Sequence, residues 1–146
     1  MTIQSIGTVI MLALGSIWDI RDKQIPVKLL IAEIIAGVIL MITNQKINWP
    51  DDWYLYIMGI FIGVVILLAG RFSNGSIGTA DGIMLAVIGG VIGYRDTLLL
   101  LMNAVMAAAV CSIILIILKR GNRKTTIPFF PFMLLGYLPV IFENLI

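Results

Sequence analysis

The chain has 146 residues, of which 60% are hydrophobic and 12% charged, and its mean hydropathy is +1.07. That apolar load exceeds what a soluble domain of this size buries, so the solvent is lipid, and the length allows one membrane-embedded domain over residues 1–146. A net charge of +2 offers no basic stripe for nucleic acid, and the absence of histidine excludes Ser-His and Cys-His catalysis and imidazole metal sites.

Six apolar segments follow one another, which predicts an all-α, polytopic membrane protein built as a six-transmembrane-helix bundle. The first, Ile3–Trp18, has neither a charged n-region nor a small-x-small cleavage site, so it reads as a retained helix. It runs into Asp19, Arg21, Asp22 and Lys23, and Pro26 opens the second segment, Ile25–Thr43, which carries Glu33 inside it. The third is Trp53–Gly70. The fourth contains Asp81. A start after Asp81 leaves about a dozen residues, too few to span at about 1.5 Å each. A start near Ile77, ending at Tyr94, makes it long enough and sets Asp81 about one turn inside. The fifth, Thr97–Leu118, holds Asn103 and Ser112 as candidate interhelical hydrogen-bonding residues and Cys111 as a packing residue. The sixth, Ile127–Ile146, is interrupted by Pro128 and Pro131 near its start and by Pro139 further on.

Charge sets the expected orientation. Eight of the ten Lys and Arg residues fall after segments one, three and five: Arg21, Lys23, Lys28, Arg71, Lys119, Arg120, Arg123 and Lys124. The positive-inside rule puts these connections in the cytoplasm and both termini outside. Trp49, Trp53, Tyr54 and Tyr56 fit an interfacial belt on the outer side. Asp19 then closes an inward-running helix and Asp81 opens an outward-running one, which brings both carboxylates to the cytoplasmic side.

A carboxylate at the edge of hydrocarbon is costly and therefore marks function or pairing. Two carboxylates held together share a proton: one acts as base on water while the other, protonated, polarises a carbonyl. That chemistry needs no metal and no cofactor. Gly75 and Gly78, with Gly82 after the aspartate, flank Asp81 and would allow a substrate backbone to approach, or would serve a turn or a small-residue helix contact. Asp22, between Arg21 and Lys23, reads as a solvated loop residue. Glu33 could tune the pair, bind a cation such as Lys28, or be neutral and hydrogen-bonded.

Three stretches resemble the type IV prepilin leader peptidases, GxGD-type aspartic membrane proteases that include the preflagellin peptidases. Asp19-x-Arg21-x-x-x-Ile25-Pro26 is similar to the family's stretch after the first helix. Gly78-Thr79-Ala80-Asp81 is similar to the GxGD motif, and Ile127-Pro128-Phe129-Phe130-Pro131-Phe132 to the lead-in of the last helix. The chain departs from the family pattern at Ala80, Ile83, Val27 and Phe130. The resemblance implies a membrane aspartic endopeptidase with Asp19 and Asp81 as its catalytic pair, and Gly78, Gly82, Pro26 and Pro128 as motif or approach positions. It also implies a prepilin-like protein as substrate, cut at the cytoplasmic face after a glycine that precedes the mature hydrophobic helix. No paired-cysteine methyltransferase region is expected. Two alternatives compete: a small ion-coupled transporter or channel subunit, and a non-catalytic pilus-assembly component. The oligomeric state is left open.

Overall fold

A computed structural model of the chain describes residues 3–22, 25–44, 52–72, 78–118 and 127–143. Among these residues the only regular structure is helical, in six elements: α1 (Ile3–Asp22), α2 (Val27–Ile42), α3 (Trp53–Phe72), α4 (Thr79–Ile92), α5 (Tyr94–Ile117) and α6 (Phe130–Glu143). The fold is the all-α bundle expected. Three of its helices, α1, α3 and α5, are long and apolar enough to cross a membrane.

Several boundaries differ from the sequence-based expectation. α1 continues to Asp22, past Trp18, so Asp19 is a helix residue three positions from the end. α4 starts at Thr79 and has 14 residues, about 21 Å of helix against a hydrocarbon core of about 30 Å. The expected long fourth span is therefore not formed, although Asp81 does lie in the helix, in its first turn. α6 is likewise 14 residues, because Pro128 and Phe129 precede it in an irregular lead-in. Lys23, Lys46, Trp49, Gly75, Ile77 and the Lys119–Lys124 run lie outside the described residues.

The short helix is the central one. α4 packs against α3, α2, α5 and α1, and α6 closes the ring by packing on α5 and α1. Met84, Leu85, Ile88 and Val91 of α4 are buried, and an element apolar on every face belongs in the interior. Around the outside, large apolar side chains such as Ile31, Ile57, Phe61, Val110 and Phe142 are exposed, as a lipid-facing surface requires.

Small residues make this arrangement possible. Gly59 and Gly63 of α3 face Gly89 and Ala86 of α4, and a Cβ on either glycine would strike backbone atoms of the partner helix. One step further along, a Cβ on Gly82 would sit 2.5 Å from the Leu67 Cα. In lipid, where apolar burial gives no drive between helices, such close approach yields the dispersion contacts that hold them together. At the far end of α4, Gly93 adopts φ +83° and joins α4 to α5 with a single residue. Asn44 anchors that end by donating its side-chain N–H to the Val91 carbonyl at 3.0 Å. Asn103 donates to the Gly136 carbonyl across α5 and α6, as an interhelical role requires. Ser112 bonds within its own helix, to the Ala108 carbonyl, because the preceding-turn carbonyl is the nearest acceptor to a helical serine.

Replacing Gly63 with leucine is expected to lower stability by about 1–3 kcal/mol, read as a fall in Tm in detergent. Leu68→Ala, on the lipid-facing side of the same helix, should leave Tm near the parent value. Equal losses at the two positions would contradict a backbone-contact interface.

Candidate functional site

Asp19 lies on the buried stripe of α1 formed with Met11, Leu12, Gly15 and Ser16, and is 9% exposed. Its Oδ2 accepts the backbone N–H of Phe130 at 3.1 Å. The sequence at the start of α6 explains why. The N–H groups of Phe132 and Met133 both bond to the Phe129 carbonyl, and Pro131 has none. The Phe130 N–H is thus the one donor of that turn left over, and the carboxylate receives it at the positive end of the helix dipole.

The Phe130 ring occupies a notch in α1. A Cβ on Gly15 would overlap that ring, so the absent side chain, one turn before Asp19, lets Phe130 pack fully buried. This locates the departure at position 130: a large residue there is matched by a glycine on the facing helix.

Asp81 is reached from the other side. It is the third residue of α4, and its carboxyl folds back over Gly78, the N-cap, toward that residue's N–H. A Cβ on Gly78 would lie 2.5 Å from Asp81 Oδ2, so the glycine keeps the space that the carboxylate uses. Ala80 stands in helical backbone between them and is half-buried, so its position makes no demand for glycine. The carboxyl lines a pocket of about 260 Å³ together with Gly78, Ile66 of α3, Leu101 and Val105 of α5, and Ile127 and Phe129 of the α6 lead-in.

Both aspartates therefore sit at the same end of the bundle, near enough for the Asp19 charge to act on Asp81. Asp19 is held inside by α6, and Asp81 faces the pocket. Asp22 and Arg21 are exposed at the end of α1. Pro26 is exposed, and its carbonyl accepts the first-turn N–H groups of Leu29 and Leu30. Pro128 is half-buried in the α6 lead-in beside the pocket residues Ile127 and Phe129. Gly82 is buried against α3 and not on the pocket wall, so its contribution is the helix contact. Among the described residues no three acidic or cysteine side chains converge as a metal site would need. A larger pocket of about 340 Å³ at the opposite end is lined by Asp52, Tyr56, Tyr94 and Arg95, and neither aspartate reaches it.

Glu33 is 3% exposed, and neither of its carboxyl oxygens has a hydrogen-bond partner among the described residues. It does not pair with Lys28, which is exposed five positions earlier on α2. Its Oε1 lies 3.4 Å from where a Gly15 Cβ would be, one helical turn from Asp19 and beside the Phe130 ring. The sequence did not single out Gly15 or the Phe130 N–H; the four-residue spacing of Gly15 from Asp19 was the available signal. Ile66, Leu101 and Val105 carried none, being three apolar residues among many.

Glu33→Leu removes two unpaired buried oxygens while keeping most of the volume. It is expected to leave stability unchanged or to raise it by about 1–3 kcal/mol, measured as Tm in detergent. A Tm well below the parent would show that the carboxyl contributes favourably where it stands.

Residues 6–113 match the type IV leader peptidase family. No curated protein and no solved structure shows significant similarity to the chain. The matched region carries both aspartates and Gly78, while Phe130, whose N–H holds Asp19, lies beyond it. The chain belongs to the type IV leader peptidase family.

Proposed function

We propose that the protein is a membrane aspartic endopeptidase that removes the leader of a type IV prepilin-like protein, with Asp19 and Asp81 acting together on water. The observation that carries this reading is the convergence of two carboxylates from separate helices at one end of the bundle. One is fixed by a helix N-terminus, and the other opens onto a pocket.

Hydrolysis by such a pair needs two complementary roles. One carboxylate takes a proton from water as the oxygen attacks the peptide carbonyl. The other, protonated, donates to the carbonyl oxygen as charge develops there. Collapse of the tetrahedral species returns a proton to the leaving amine. The Phe130 N–H holds Asp19 in one orientation, and the Gly78 notch gives Asp81 room to turn toward a peptide in the pocket. Family membership and the chemistry of the paired acids support this over a transport role.

The lysines and arginines favour a cytoplasmic location for this end. Arg21, Lys28 and Arg71 lie at the site end of α1, α2 and α3, and five more basic residues occupy the connections on that side of the sequence. Both chain termini then face outward, in a multi-pass protein of the cell membrane.

Asp19→Asn and Asp81→Asn, each co-expressed with a prepilin-like substrate, are expected to reduce leader removal by about 10²–10⁴-fold, followed as the mobility shift of the substrate, with membrane insertion retained. Cleavage at the parent rate by either variant would falsify the pair. Gly78→Ala, which pushes on Asp81 Oδ2, should cost about 10²-fold, while Ala80→Gly should cost far less. The reverse order would remove the role given to the Gly78 notch.

A further inference from the structure

The end of the bundle away from the aspartates carries a cavity that proteolysis does not use. Its volume is about 340 Å³, within the range of about 300–1,000 Å³ found for small-molecule sites. Asp52 and Tyr56, where α3 starts, and Tyr94 and Arg95, where α5 starts, form its polar wall, and Leu55 and Ile92 its apolar part. The charges are not balanced within it. Arg95 donates to Glu143 at 2.8 Å, whereas Asp52 forms no ion pair among the described residues. Asp96 adds a second negative charge close by, since both acids act on Tyr56. A carboxylate beside aromatic rings suits an ammonium group. Arg95 keeps further donors beyond the one given to Glu143, and a guanidinium suits a phosphate. Trp53 and Tyr54, exposed at the same end of α3, mark the level of lipid headgroups.

A second hollow leads from this cavity along the bundle. α2 and α3 each pack on α4, and a groove of about 180 Å³ runs between them. Ala86 and Gly90 of α4 form its floor, and Val38, Met41 and Ile60 its walls. Ile60 is one turn on from Tyr56, and Gly90 is three residues before Gly93, so the groove begins where the cavity ends. Asn44 ties this junction together: its side chain bonds to the Val91 carbonyl at 3.0 Å and to the Tyr56 side chain. An apolar cavity of about 150 Å³ holds benzene, so the groove has room for the first part of an acyl chain.

We infer that the cavity and the groove together bind one aminophospholipid, with its primary ammonium at Asp52 between the Tyr56 and Tyr94 rings, its phosphate at Arg95, and an acyl chain over Gly90 and Ala86. A lipid of this class presents a cation, an anion and an apolar tail in the order in which the surface offers their partners. A primary ammonium donates charge-assisted hydrogen bonds to Asp52, which a choline headgroup cannot. A headgroup with a phosphate and no amine would meet Asp52 and Asp96 uncompensated. The bound lipid joins α2, α3 and α5 at the end where Gly93 turns the chain.

The test offers full-length protein in detergent an equimolar mixture of phosphatidylethanolamine, phosphatidylcholine and phosphatidylglycerol with identical acyl chains. Native mass spectrometry counts the lipids retained. The parent should keep one phosphatidylethanolamine, preferred at least about tenfold over the other two. Asp52→Asn keeps the shape of the wall and should abolish the preference. Val38→Phe, at a half-exposed position beside the groove, should lower phosphatidylethanolamine retention by closing the path of the chain. Equal retention of the three lipids by the parent, a preference for phosphatidylglycerol, or a preference that survives both substitutions overturns the inference. A second measurement reads heat stability. Phosphatidylethanolamine should raise the Tm of the parent more than phosphatidylcholine does, and that difference should vanish in Asp52→Asn; a difference of the same size in both proteins overturns the inference. Free phosphoethanolamine at the same concentration should leave the lipid in place, because it lacks the chain that fills the groove. Displacement by it assigns the cavity to a soluble zwitterion and overturns the lipid.

Discussion

Backbone-to-backbone contact between α3 and α4 is the constraint on which the rest of the arrangement depends. Where Gly59, Gly63, Gly82 and Gly89 meet the opposite helix, there is no side chain to hold the axes apart. In lipid such close contact supplies helix affinity alongside hydrogen bonds such as that of Asn103, since apolar side chains are no better off against each other than against acyl chains. The contact draws the shortest part of the bundle into its middle, and α2, α5 and α1 then complete the surroundings of α4. A helix in that position has no outward face on which to place a charge. Its carboxylate can sit only where the helix begins, which is where Asp81 is.

Asp19 is positioned by a different logic. It is not at the end of its helix but three residues before it, facing inward, where its Oδ2 accepts the N–H of Phe130. Two prolines and a glycine make that donor available. Pro128 and Pro131 keep the lead-in irregular and the first turn short of donors, and Gly15 opens the wall for the Phe130 ring. The residue that departs from the family's last motif is thus part of what fixes the first aspartate. Glu33, lying against the same glycine, has no such donor among the described residues. A buried acid without a partner lowers stability compared with an apolar side chain of similar size. The two acids on either side of Gly15 show how much one backbone N–H decides.

Much of the fold was legible in the sequence because hydrophobic run length and charge position are direct consequences of the bilayer. All six helices were found; the family resemblance, not run length or charge, chose Asp19 over Asp22, and in the structure Asp19 is buried while Asp22 is exposed at the end of α1. The lengths of α4 and α6 were not legible. An apolar run of 18 or 20 residues does not reveal how much of it is helix when a proline-bearing or glycine-bearing lead-in is equally apolar. Gly82 illustrates a second limit. A glycine beside an acid in sequence can serve the acid or the helix behind it, and only the facing residue, Leu67, distinguishes them. The pocket wall was invisible for the same reason: Ile66, Leu101 and Val105 come from two helices far apart in the chain, and nothing local marks them.

The shortness of α4 has a consequence for the depth at which Asp81 stands. Gly93 holds the far end of α4 flush with the start of α5, so the whole deficit in length falls on the side of the aspartates, where α5 runs on about 15 Å further. α6 falls short in the same way. Among the described residues, α3 and α5 therefore continue past the level at which α4 begins, and Asp81 stands below their ends. The two helices of 14 residues thus set how deep in the bundle the first turn of α4 and the Phe130 N–H stand.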